Sequence, residues 1–173
     1  MKLDTIVISD FLDNPDKVRE SLLDQGEELF TEKGQFPGKR TDIVNDEYQE
    51  MFLGKLRELL PFDIKVNPLC NSFSFQLCLE DDKTWEHLDE YEWTGVLYLT
   101  PNPNPDSGTL VIDRSSWKPD CDDYTVASNI ANVYNTLVLF RGGVLPHRSN
   151  LAGFGDCLEN GRLTQVIFFD EVK

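Results

Sequence analysis

Apolar residues recur along this chain with two different periods, and the change falls near residue 61. Before it, Thr5-Ile6-Val7-Ile8 predicts a short strand. Asn14-Pro15 then opens a helix, with Asn as the cap and proline at the first helical position, where no backbone N–H is needed. Val18, Leu22, Leu29 and Phe30 supply a loose apolar stripe behind it. A second helix is expected from about Asp46 to Leu60, because Tyr48, Phe52, Leu56, Leu59 and Leu60 recur at three- and four-residue spacing. Pro61 ends it.

Beyond Pro61 alternation takes over. From Asn71 to Glu80, Phe73, Phe75, Leu77 and Leu79 alternate with Ser72, Ser74 and Gln76, the pattern of a half-buried strand. Further strands are expected at Trp93 to Thr100, Gly108 to Ile112, Tyr134 to Phe140 and Arg162 to Phe169. Breaker residues separate them, notably Pro101-Asn102-Pro103-Asn104-Pro105-Asp106. Helices followed by a run of strands predict a mainly β chain, a sandwich or jelly roll with helices packed outside. At 173 residues a single domain is expected, with residues 1–68 as helical support and 69–173 as the jelly-roll core.

Charge narrows the function classes. With 31 acidic against 16 basic residues the net charge is -15, which repels nucleic acid unless a basic patch intervenes and suits a cationic target. The nearest patch is Lys33, Lys39 and Arg40 around Phe36-Pro37-Gly38, and three charges make a weak one. No apolar run is long enough to predict a membrane span. Met1-Lys2-Leu3-Asp4 turns acidic at once and does not read as a secretory signal. Cys70, Cys78, Cys121 and Cys157 form no CxxC pair, so free thiols in a reducing cytoplasm are expected. On one continuous strand Cys70 and Cys78 would stand about 26 Å apart, too far for a disulfide.

Imidazole chemistry must use two residues, because the chain has only 2 histidines. His87 lies in Trp85-Glu86-His87-Leu88-Asp89, and on an extended strand His87 and Asp89 would project from one face toward a single ion. His147, in Leu145-Pro146-His147-Arg148, would complete two nitrogens and one carboxylate on one side of a metal. That facial arrangement characterises non-haem Fe(II) oxygenases. In so acidic a chain an Asp two residues after a His is weak by itself, and such a His is more often a surface residue. Three features strengthen it: Arg141-Gly142-Gly143 before His147, Arg162 and Thr164 on one face of the last apolar strand, and Tyr98 in the strand after His87. Trp85, Tyr91 and Trp93 are an aromatic substrate face or core packing, Arg40 a mouth residue or a solvated turn, and Asp120 to Tyr124 a solvated acidic loop.

The order His87-x-Asp89, Tyr98-Leu99, Gly108-Thr109-Leu110, Leu137-Val138-Leu139-Phe140, Pro146-His147 and Arg162-x-Thr164 resembles the prolyl 4-hydroxylase-like 2-oxoglutarate/Fe(II) oxygenases. Phe11-Leu12-Asp13-Asn14-Pro15 and Phe36-Pro37-Gly38 are similar to segments of small oxygenases from phages and marine bacteria. The resemblance implies a double-stranded β-helix with its metal at the open mouth. It makes His87, Asp89 and His147 the iron ligands, Arg162 the partner of the far carboxylate of 2-oxoglutarate, and Thr164 and Tyr98 hydrogen-bonding residues for that group. A planar guanidinium suits a carboxylate through two parallel hydrogen bonds. His147 and Arg162 are further apart than this family usually has them, with Ala152-Gly153-Phe154-Gly155-Asp156-Cys157 read as a looped-out insertion. If Arg162 is instead a surface strand residue, Arg148 or Arg141 would serve.

The implied activity consumes O2 and 2-oxoglutarate, with ascorbate as a candidate reductant, and hydroxylates an amino-acid side chain in a peptide or small molecule. Proline is the first candidate and a basic residue the second. Halogenation is not expected, because Asp89 occupies the position a halide would need. Two other readings stand beside this one: a cupin-like jelly roll that binds a metal or ligand without turnover, and an oxygenase of nucleobases.

Overall fold

The computed structural model describes residues 4–32, 36–42, 46–67, 72–119, 121 and 123–172. Cys70, Lys33, Asn71 and Asp120 lie outside them. The strands are β1 (Thr5–Ile8), β2 (Lys39–Arg40), β3 (Ile64–Lys65), β4 (Phe75–Cys78), β5 (Trp93–Tyr98), β6 (Thr109–Ile112), β7 (Val126–Ile130), β8 (Leu137–Phe140), β9 (His147–Ser149) and β10 (Arg162–Glu171). Two helices, α1 (Pro15–Gln25) and α2 (Asp46–Leu59), precede most of them. No helix among the described residues is long and apolar enough to cross a membrane.

The helices form where their caps and apolar spacing predict. Asn14 accepts a hydrogen bond from Lys17 N at 3.2 Å, and Pro15 opens α1. Gly26, at φ 84°, closes it, so Leu29 and Phe30 lie beyond the helix rather than on its stripe. In α2, Phe52 and Leu56 are fully buried, but Leu59 is 49% exposed and faces water, contrary to the predicted stripe.

The strands build two antiparallel sheets. The larger runs β1-β8-β5-β10-β4-β2, with β3 paired to the end of β10, and the smaller runs β7-β6-β9. Three strands of the large sheet thus come from the first 68 residues, the segment expected to be helical support. Residues directly opposite in neighbouring strands share a face. One row is therefore Arg40, Gln76, Thr164 and Tyr98. The next rows on that face are Val166, Val96 and Val138, then Phe168, Thr94 and Phe140. This inner face looks toward the small sheet, and Tyr98, Val138 and Phe140 pack there with Val111.

The opposite, outer face carries Leu77, Leu97, Leu137, Leu139, Leu163, Ile167 and Phe169, and buries them under Phe11, Leu22, Phe52 and Leu56. Aromatic rings meet tightly there, with Phe11 and Phe52 at 4.6 Å and Phe52 and Phe73 edge-on at 5.5 Å. Gln165 is the polar exception. Its amide donates to Phe73 O at 3.0 Å and its oxygen accepts from the Tyr48 hydroxyl at 2.8 Å, so neither group is left unsatisfied. With both faces covered, β4 is buried throughout, polar Gln76 included. The alternation at 71–80 does mark a strand, but not a half-exposed one.

Candidate metal centre

His87 and Asp89 do not sit on a strand, as expected from their spacing, but on an irregular segment pinned at three points. His87 and His147 form a single β-bridge, with mutual N–H to O distances of 3.1 and 3.0 Å. Asp89 N donates to Gly142 O at 3.0 Å. His147 opens β9, and β9 is registered on β6 with His147 opposite Val111. The backbone of the small sheet therefore fixes one imidazole and, through the bridge, the other.

Each ring is aimed by its own chain. His87 Nδ1 lies 3.0 Å from Trp85 O and His147 Nδ1 lies 3.1 Å from Leu145 O. A carbonyl can only accept, so both Nδ1 atoms carry the proton and both Nε2 atoms are free as ligands. His147 Nε2 is 3.1 Å from Asp89 Oδ2, and His87 Nε2 is 3.7 Å from Asp89 Oδ1. The three ligand atoms lie within 4.8 Å of one another, a set that could hold one metal ion.

The electrostatics suit a divalent cation. Burial, helped by the neighbouring His147 imidazole, holds His87 below the ordinary histidine range and so favours its neutral form, the one that can ligate a metal. Burial opposes ionisation of Asp89, yet the adjacent His147 imidazole and the Thr94 hydroxyl outweigh it and hold the carboxyl below its usual value. The Thr94 hydroxyl donates directly to Asp89 Oδ2. Gly142 makes that contact possible, since a Cβ there would stand 2.1 Å from Thr94 Oγ1 and 2.7 Å from Asp89 Oδ2. Gly142 is legible in the sequence as part of the Gly-Gly turn before His147, whereas nothing there marks Thr94 beyond its place in a predicted strand.

The pocket over these ligands runs along the inner face and is lined further by Arg162, Thr164, Arg40, Gln76, Phe140 and Phe168. Arg162 is 3% exposed, donates Nε to Ser107 O at 2.8 Å, and has no carboxylate partner among the described residues. Thr164, its neighbour on the same face, is fully buried and its hydroxyl has no partner among the described residues. Tyr98 stands behind them rather than in the lining. Its hydroxyl is 2.7 Å from Thr109 Oγ1, its ring lies 5.8 Å from the Arg162 guanidinium carbon, and burial raises its pKa.

The other arginines are engaged. Arg141 pairs with Glu92 and lies over Trp93, and Arg148 pairs with Glu86 at 2.9 Å while also donating to Tyr124. Tyr124 is thus tied into an ion-pair network, not left in a solvated loop. Trp93 is core, whereas Trp85 is 41% exposed. The Gly-rich stretch 152–157 contains no strand and loops between β9 and β10, with Gly155 O accepting from Glu80 N at 3.0 Å.

The structure decides between the two readings of Arg40. It is not a solvated turn residue but lines the pocket from β2, where Gly38 at φ 66° brings the chain in. Away from the Asp89 end, the pocket lining holds Arg40 and Arg162, neither with a carboxylate partner among the described residues, so that part offers donors to an anion.

No family model matches the sequence, and no curated protein is detectably similar. Solved structures are. A Pseudomonas putida prolyl-4-hydroxylase superposes with a TM-score of 0.57 at 18% identity, covering 98% of this chain and 94% of that one. A Trichoplax adhaerens prolyl hydroxylase, in complex with a peptide fragment of the hypoxia-inducible factor oxygen degradation domain, gives 0.61 at 16% identity, over 96% and 83%. HygX from Streptomyces hygroscopicus, with nickel, 2-oxoglutarate and hygromycin B bound, gives 0.63 at 11% identity, over 96% and 82%. At such identities the likeness is one of architecture, and the chain has the fold of these prolyl hydroxylase and 2-oxoglutarate oxygenase structures.

Proposed function

We propose that this protein is an Fe(II)- and 2-oxoglutarate-dependent dioxygenase that hydroxylates an amino-acid side chain, proline-type first, and that its two sheets form a double-stranded β-helix. The carrying observation is one pocket with His87, Asp89 and His147 placed to hold one ion and, along the same wall, an arginine without a carboxylate and a threonine hydroxyl without a partner among the described residues. Buried polar groups are rarely left so unless a ligand completes them.

Bound together, the metal, 2-oxoglutarate and O2 supply an oxidative decarboxylation to succinate and carbon dioxide coupled to oxygen insertion at a C–H bond. The chain supplies position. His87 and His147 present neutral Nε2 lone pairs, while Asp89 adds the charge that a divalent cation needs. Thr94 holds Asp89 Oδ2, which fixes the carboxylate's rotation. Arg162 and Thr164 offer donors to the far carboxylate of the co-substrate, and Arg162 is oriented for this by Ser107 O. Phe140 and Phe168 give the pocket apolar walls that exclude water.

The test is substrate-independent succinate formation from purified protein with Fe(II), ascorbate and 2-oxoglutarate, followed by mass spectrometry on amino-acid and peptide panels. Succinate and a gain of one oxygen on an amino acid are expected. Tight metal binding without succinate would identify a binding jelly roll instead. Clean oxidation of a nucleobase with no amino-acid product would replace the substrate class.

A further inference from the structure

A chain with 31 acidic residues has ample means to neutralise an arginine in a pocket, yet Arg40 is left without one. No carboxylate among the described residues pairs with it. Of its five N–H donors, Nη2 reaches Gln76 Oε1 at 3.1 Å, and Nε is buried with no partner. The contrast with other arginines is sharp. Arg141 and Arg148 have glutamates, and Arg19 donates to Leu99 O and Glu159 O.

Arg40 is nevertheless held in place. Its guanidinium carbon lies 4.0 Å from the centre of the Phe36 ring, so one flat side is covered. Gln76, which it contacts, is itself fixed by an amide donor 2.6 Å from Pro37 O. A guanidinium stacked on one side and tethered at one nitrogen leaves an edge of donors for a planar oxyanion. Burial lowers its pKa to about 10, which still leaves it charged at neutral pH. The site also differs from that of Arg162. Arg40 is partly exposed on β2, whereas Arg162 is deep on β10, and β4 separates the two strands. Their backbones therefore stand about 10 Å apart, enough for two acids side by side.

We propose that Arg40, braced by Phe36 and Gln76, binds a carboxylate of the substrate, so that the pocket takes a small carboxylic acid, a free amino acid, rather than a residue inside a peptide. This rests on the oxygenase reading above for the identity of the second acid, which would lie beside the co-substrate.

The experiment uses the full chain loaded with Mn(II) and 2-oxoglutarate. Melting temperature and affinity are measured against the common free amino acids and their primary amides, probe by matched probe. At least one free acid is expected to bind ten-fold or more tightly than its amide. Arg40→Gln should erase that preference by weakening the acid and not the amide. Gln76→Glu, which gives Arg40 an internal carboxylate, should do the same without removing the cation. The proposal is overturned if no acid outbinds its amide, if Arg40→Gln preserves the preference in a folded protein, or if it weakens 2-oxoglutarate in place of the second acid. Succinate formation is read separately on the unsubstituted protein. Its absence beside a persisting acid preference would reject the oxygenase reading and leave the Arg40 site standing.

Discussion

The large sheet has two faces built from the same strands, and they obey opposite rules. Its outer face is apolar and closed by helices; it satisfies buried Gln165 with two hydrogen bonds and leaves one buried donor, Trp93 Nε1, without a partner among the described residues. Its inner face carries an arginine without an acid and a hydroxyl without a partner among the described residues, and it looks onto a carboxylate set between two imidazoles. Completed packing gives stability, whereas polar groups left incomplete at matching distances mark where something else must bind. The two faces alternate residue by residue along β10, so function and stability are written in the same ten residues, Arg162–Glu171.

Substitutions on the two faces should therefore separate stability from ligand binding. The largest loss of stability is expected from Phe52→Ala, since the ring is fully buried against Phe11 and Phe73. About 3–5 kcal/mol should be lost in denaturant unfolding, with metal affinity of the folded fraction intact. Asp89→Ala on the inner side should do the reverse. Metal binding by calorimetry should fall 100-fold or more, on the order of 3 kcal/mol, while the metal-free melting temperature drops far less than for Phe52→Ala. An unchanged metal affinity would remove Asp89 from the site.

Arg162→Ala should raise the apparent Michaelis constant for 2-oxoglutarate ten-fold or more, in line with the roughly 1.5–3 kcal/mol of charge-assisted hydrogen bonds, and barely move the metal. If Arg148→Ala has that effect instead, the co-substrate lies the other way round. Thr164→Val should be smaller still. Removing an unpartnered buried hydroxyl should leave the ligand-free protein as stable or slightly more so, and weaken 2-oxoglutarate by a few fold.

The smallest effect concerns pH. His87 binds a proton less readily folded than unfolded, so between its unfolded value near 6.5 and its lowered folded value the unfolded chain holds more protons. Stability of the metal-free protein should thus fall as pH drops below about 6.5, and His87→Gln should flatten that slope. A slope unaltered in the variant would assign it to other groups.

Helices with strong local signals were legible almost to the residue. Asn14-Pro15 fixed one start, and the spacing of Phe52 and Leu56 fixed one face. The error at Leu59 arose because spacing reports a stripe, not its width: Leu56 and Leu60 are buried, while Leu59 between them faces water. β7 was missed for a related reason. Val126-Ala127-Ser128-Asn129-Ile130 has little apolar alternation, and it is a strand through its hydrogen bonds to β6. The two-residue strands β2 and β3 carry too few positions for any period to show.

The sequence by itself determined the types of atom available: two imidazoles, an Asp two residues after the first, and an Arg-x-Thr opening the last strand. Those choices are local and survive in a linear reading. Only the tertiary structure decided that His87 and His147 meet through a bridge between segments sixty residues apart. It also set both Nδ1 protons, through carbonyls whose direction depends on the folded backbone. Arg40 shows the same limit most plainly. Its charge is in the sequence, but whether it meets water, an acid or an open pocket is set by which strands flank it, and the net charge of -15 does not say. Net charge sums over the whole surface, whereas a ligand in a pocket feels the few groups within a screening length of about 8 Å, and folding chooses those groups.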